Sequence, residues 1–219
     1  MFPTVVTPPP VEPVSLDEAK AFARVTYDPA DPIAPLEDAL ILRAITSARQ
    51  SVETRTDRAL ITTTFDWTLD SWPMAPMLAG LRYVQSLNMP PVPLSEIRPT
   101  RATLIAVTSI NYYDPAGNLQ LLDPSAYQVL AGTPGRIIPA YGRAWPALRS
   151  WPGSVTIRYI AGYGPTAASV PACVIQALLM MTAGWYENRE WQTPTGNNFG
   201  LVPETVDALL APIMWGAYE

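Results

Sequence analysis

Proline cuts this chain into pieces before any other residue type has a say. There are 25 prolines in 219 residues, where an average usage of about 5% gives roughly eleven. They gather in "PTVVTPPPVEP", "PADPIAP" and "MPPVPLSEIRP". Each proline removes an amide donor and fixes φ, so these runs resist helix and read as extended connectors. The periodic segments between them are the elements the chain has to pack.

Residues 1–14 carry only Glu12 as a charge and predict an extended N-terminal arm. In "SLDEAKAFARV", Ser15 and Glu18 form a capping box, and Leu16, Ala19, Phe22 and Ala23 make an apolar stripe. After "YDPADPIAP" the helical period resumes in "LEDALILRAITSARQSVETRTDRAL". Leu36, Leu40, Ala44 and Ala48 lie on one stripe, with Ile41, Ile45 and Val52 beside it. Glu37 and Asp38 occupy the first turn, where the helix dipole favours acids.

At Leu60 the period becomes two. "ITTTFDWTLDSW", "LIAVTSINYYD", "LQLL", "AYQVL", "GRIIPAY" and "SVTIRYIAGYG" are short and rich in Thr, β-branched and aromatic residues. Gly/Pro turn signals such as "PAGN", "AGTPG" and "SWPGS" separate them. Residues 60–163 therefore predict a small antiparallel β region. Residues 73–102 interrupt it without a period of their own, and an excursion beyond about 15 residues is uncommon. They read as an insertion lying outside the core and reaching a neighbouring molecule.

Helix returns in "VPACVIQALLMMTAGWYENRE", with Pro171 suited to the first turn. Val174, Leu178, Met181 and Trp185 line one face; Ile175, Leu179 and Tyr186 crowd the next. "TPTGNNFG" is a loop. "VPETVDALLAPIMW" is a short helix that Pro212 ends, leaving an apolar tail over residues 212–219. The order predicts an α+β fold: a helical bundle built from both chain ends, 15–58 and 170–211, with the β region inserted between.

Composition removes several function classes. There is no histidine, which takes away the commonest general base and the usual zinc ligand. The single cysteine, Cys173, excludes an intrachain disulfide or a thiolate cluster and reads as a small core residue. No window holds eighteen apolar residues, so no membrane span is expected, and the N-terminus has no secretory pattern. The net charge of −5 makes the chain a poor candidate for gripping phosphates. Only 15% of residues are charged, so much of the surface is uncharged, as at interface cores. All basic residues but Lys20 are arginines, which fork well onto carboxylates.

Several stretches, in order, resemble the head-tail connector, or adaptor, proteins of long-tailed bacteriophages and of phage-derived gene transfer agents. They are "SLDEAKAFARV", "LEDALILRAITSARQSVETRTDRAL", "VTSINYYDPAGNLQLLDPSAYQV", "GRIIPAYGRAWP", "GSVTIRYIAGYG", "VPACVIQALLMMTAGWYENRE" and "VPETVDALLAP". They cover most of residues 14–191. The resemblance implies a helical bundle carrying a small β region and an architectural role without catalysis or cofactor. It implies a ring of copies, a dodecamer, below the portal protein at the capsid vertex. That ring extends the DNA channel and receives the next neck (stopper) or tail protein. The implied location is the virion neck, assembled in the host cytoplasm. The segment 73–102 and the N-terminal arm depart from the pattern.

The stretch "GWYENREW" carries the sharpest choice. Glu187 and Glu190 stand three apart, as a carboxylate pair on one helix face would, but a hydrolytic pair usually flanks its substrate from separate walls. The structural reading has Trp185 and Tyr186 finishing the core, while Tyr186, Glu187, Arg189, Glu190 and Trp191 meet a neighbouring subunit. Arg43 and Arg49, interleaved with acids along their helix, join that subunit face. At the C-terminus Ile213, Met214, Trp215 and Tyr218 are the candidate partner-binding residues, because Trp and Tyr are common interface anchors. The resemblance names the portal as their partner. The alternative is that Trp215 folds back onto the chain's own helices. "RYIAGYG" lacks the third glycine of a dinucleotide site, and Asp28 and Asp31 lack the ligand count of a calcium loop. A receptor-binding or surface β module, and a carboxylate-based enzyme, are the competing functions.

Overall fold

The computed structural model describes residues 3–26, 33–73, 95–101, 103–188 and 204–214. The chain divides into two compact units, Met1–Pro8 with Thr63–Gly162 and Pro9–Thr62 with Tyr163–Glu219. Both α and β elements are present, as the sequence predicts, and each unit draws on two separate stretches of chain.

The second unit is helical. α1 (Leu16–Phe22) starts at Ser15, whose hydroxyl accepts from the Glu18 amide at 3.2 Å while Glu18 accepts from the Ser15 amide at 2.9 Å. This is the predicted capping box. α2 (Ala34–Thr56) ends at Asp57, which takes a left-handed φ of 48° and donates its amide to the Glu53 carbonyl. α3 (Ala172–Glu187) ends at Asn188, whose amide and side chain both donate to the Gly184 carbonyl. α4 (Glu204–Leu210) runs into a 3-10 turn over Ala211–Ile213.

The core of this unit is aliphatic. Ile41, Ile45, Ala48 and Val52 from α2 meet Val174, Ala177, Leu178 and Met181 from α3, Ala19 from α1, and Val206 and Leu210 from α4. The period read from α2 is correct but its phase is shifted. Leu36 and Leu40 are 67% and 39% exposed, whereas Ile41 and Ile45 are sealed. Two adjacent apolar stripes compete for the core, and the β-branched one takes it. Trp185 is likewise on the surface, at 39% exposure, while its neighbour Tyr186 packs against the core.

The first unit is a β unit. Its main sheet runs β1 (Thr4–Thr7), β2 (Thr63–Leu69), β7 (Val155–Ala161), β3 (Leu104–Tyr113) and β4 (Leu119–Leu121), with every pairing antiparallel. β5 (Tyr127–Leu130) and β6 (Arg136–Pro139) form a second, two-stranded sheet. The central strand β7 shows the two-residue period plainly. Val155, Ile157, Tyr159 and Ala161 are fully buried, while Arg158 turns outward and grips Asp66 of β2 with two bonds of 2.7 Å. Tyr159 stacks on Phe65, with centroids 5.5 Å apart, and its hydroxyl donates to the Thr100 carbonyl. At Gly135 a Cβ would lie 2.1 Å from the Leu104 Cβ, so only glycine lets that turn approach β3.

Two stretches set apart in the sequence reading are built into these units. The N-terminal arm is extended, but Thr4–Thr7 is an edge strand on β2, and Val14 is buried in the helical unit at 1% exposure. The segment 73–102 does not lie wholly outside a core. Ile97 is 1% exposed and exchanges two 2.8 Å main-chain bonds with Ile137. A bridge one residue long leaves no periodicity to detect. Residues 74–94 lie outside the described residues.

Candidate interaction surfaces

The acid–arginine pairs of α2 sort into internal ties and surface groups. Arg49 is buried, with Nε bonded to Glu12 at 2.7 Å and Nη1 to Glu53 at 3.1 Å. Burial opposes its charge, but the Glu12 hydrogen bond and the charges of Glu53 and Glu12 outweigh it and hold its pKa above the ordinary arginine value. Glu53 also accepts from the Leu60 amide at 3.0 Å, fixing the exit from α2. Arg49 is thus a tie within its own chain. A guanidinium this buried and doubly paired has little left to offer a neighbour. Arg43 is exposed and stays on the candidate face.

The last turn of α2 holds the C-terminal element. Arg55 pairs with Asp207 of α4 at 2.5 Å. Arg58 donates from Nε to the Ile213 carbonyl at 2.6 Å, a bond between residues 155 apart in sequence. A cation on the last carbonyls of a helix also complements its dipole. Tyr163 lies beside Arg58; burial raises its hydroxyl's pKa, and Arg58 opposes part of that rise. Ile213 and Met214 pack partly buried against the helical core. Trp215 and Tyr218 lie outside the described residues, as do Arg189, Glu190 and Trp191. Glu187 is exposed on the last turn of α3, next to the half-buried Tyr186. Cys173 is half-buried at the margin of the core.

A further surface escaped the sequence reading. Residues 140–153 form a long loop of the β unit, pinned by tryptophans. Trp72 stacks on Trp145 with centroids 4.7 Å apart and planes 14° from parallel. Trp72 Nε1 donates to the Pro146 carbonyl at 2.8 Å, and Trp145 Nε1 to the Ser95 carbonyl at 2.7 Å. The signal was in the sequence: "SWP" at 71–73, "AWP" at 144–146 and "SWP" at 150–152 repeat a Trp-Pro pair. Among the described residues no group of three His, Cys, Asp or Glu is placed to hold a metal ion. No helix among them is long and apolar enough to cross a membrane.

The architecture thus defined is an α+β protein of two units, each assembled from distant chain segments. Solved structures share it. The chain resembles a chain from the neck of an empty GTA particle computed with C6 symmetry, with a TM-score of 0.71 and 23% identity. A chain from the virion of a native gene transfer agent (GTA) particle gives 0.72 at 23% identity. A third, from the neck of a native GTA particle computed with C12 symmetry, gives 0.63 at 22%. Each alignment covers 98% of this chain and 95% of the other. No family model matches the chain, and no curated protein does.

Proposed function

We propose that this chain is a structural virion protein, a head-tail connector or adaptor of the neck. Copies close into a ring below the portal, extend the DNA channel and join the capsid to a downstream stopper or tail protein. The observation that carries this reading is the extent of the shared fold. Both units align over nearly the whole length with chains of GTA necks and virions, and two of those necks were computed with sixfold and twelvefold symmetry. Inclusion of the terminal helices in that fold counts against a free-standing β module. The role is architectural, without catalysis or cofactor. DNA passes through the lumen without specific binding, in keeping with a net charge of −5. The place of action is the virion neck.

Within this reading Tyr186, Glu187, Arg189, Glu190, Trp191 and Arg43 supply the contact between neighbouring copies, and Arg49 steadies α2 behind them. Ile213 and Met214, held by Arg58 and the core, fix the point from which Trp215 and Tyr218 reach the portal. Truncation after Met214 keeps the Arg58–Ile213 bond and removes only those anchors. The expected product is a soluble chain with the wild-type melting curve that purified portal no longer retains. Retention at undiminished yield would sink the docking idea.

A further inference from the structure

We infer that residues 140–153 form a preorganised docking surface for exposed carboxylates on the helical unit of a second copy of this chain. The inference rests on the ring reading above and says where, and with what chemistry, one copy meets another. Its first support is charge. No Asp or Glu occurs between Asp123 and Glu187, a stretch that contains Arg136, Arg143, Arg149 and Arg158. Arg158 is occupied by Asp66 at 2.7 Å and Arg136 faces Glu96 at 3.6 Å. Arg143 and Arg149 are exposed on the loop. The Arg149 guanidinium lies 5.4 Å from the centroid of the Trp151 ring, and the charge of Arg143 is only the last of several causes that lower the Asp123 pKa.

The second support is what the loop displays. Tyr141 is fully exposed and Trp151 is 63% exposed. Tyr, Trp and Arg are the residue types that dominate binding energy at protein interfaces, and here all three share one loop with no acid.

The third support is order. A loop of this length without regular structure would lose much entropy on binding, yet this one is already fixed. The Trp72–Trp145 stack and its two indole bonds hold its middle. The Arg149 amide donates to the Tyr113 carbonyl at 3.0 Å, and Ser154 Oγ donates toward the Arg149 and Trp151 carbonyls at 2.9 and 2.5 Å. Gly153, at φ +73°, donates its amide to Asp70 at 2.7 Å.

The occupant follows from complementary charge. The helical unit exposes Asp17, Glu187 and Glu204, and a ring of identical copies brings two different faces of the chain together at every interface. Duplex DNA fits less well, because its stacked bases offer Tyr141 and Trp151 no face to stack on, and phosphate binding needs a wider basic field.

The test uses the full chain with photoreactive p-benzoylphenylalanine in place of Tyr141, in a mixture of isotopically light and heavy copies. Light–heavy crosslinks should map to the helical unit, within 9–62 or 163–219. In parallel, R143E/R149E should raise the concentration for half-assembly at least about tenfold while the melting curve stays unchanged. Partial recovery is expected on mixing with E187R/E204R. Assembly with crosslinks elsewhere, and indifference to R143E/R149E, overturns the inference and leaves the neck reading standing. A chain that stays monomeric at every concentration, with and without the portal, overturns both. Crosslinks only to an added neck protein, or a loss confined to retention on duplex DNA, assigns the loop another partner and also overturns it.

Discussion

The two units are held by different means. The helical unit is a dry aliphatic cluster, closed at its margin by Arg49, Arg55 and Arg58, each tied to a distant part of the same unit. These three arginines bind the unit's own carboxylates and carbonyls, whereas Arg43 stays exposed. The β unit relies on main-chain ladders and aromatic stacks, and two of its arginines, on the 140–153 loop, are left facing outward. The same residue type thus serves cohesion in one unit and display in the other. What separates the two uses is whether the fold brings a partner to the guanidinium: Glu12, Glu53, Asp207 and the Ile213 carbonyl reach Arg49, Arg55 and Arg58, whereas Arg143 and Arg149 stay exposed on the loop.

Leu178→Ala probes the cohesive side of that comparison. It removes a side chain with 1% exposure at the meeting of α3 and α2 and should cost about 3 kcal/mol. Tyr141→Ala, in the display loop, should change stability by less than about 0.5 kcal/mol. Urea midpoints of the two variants measure the contrast, and similar losses in both would break it.

Trp145→Ala probes the boundary between cohesion and display. It deletes the stack on Trp72 and the bond to Ser95 and should cost about 2 kcal/mol, below the range for a fully buried tryptophan because the site is half-exposed. The expected signature is faster trypsin cleavage after Arg143 and Arg149, with the helical unit still resistant. Unchanged cleavage would mean that the tryptophans do not pin the loop.

The smallest effect belongs to the N-cap of α1. Ser15→Ala should cost about 1 kcal/mol. Glu18 has its pKa held below the ordinary value, chiefly by the Ser15 amide and then by its hydroxyl. Its contribution is therefore fully present above the unfolded-state value and disappears as pH falls through the lower, folded-state one. Glu18→Gln should lower the melting temperature slightly at pH 7 and not at all in strong acid. A difference that grows on acidification would reverse this sign.

Legibility followed locality. Helices, strands and the Ser15–Glu18 box declare themselves within a few residues, so the α+β order could be read directly. The phase of α2 could not, because Leu36/Leu40 and Ile41/Ile45 are adjacent stripes and only the packing partner chooses between them. The Arg49–Glu53 pair is legible at one turn's spacing, but the Glu12 partner is not, because it sits 37 residues away. Ile97 with Ile137, and Trp72 with Trp145, are also non-local pairs. The candidate surfaces at Tyr186 and Glu187 were found from residue type alone, whereas the loop's role needed the tryptophan pins, the exposure of Tyr141 and the distribution of acids together.

The central claim is that this chain closes into a ring on a portal, and it is tested most directly by negative-stain images of the purified protein with and without that portal. The account predicts closed rings of uniform diameter, twelve subunits in class averages, seated on the portal when it is present. Single particles of monomer size that leave the portal bare would contradict it.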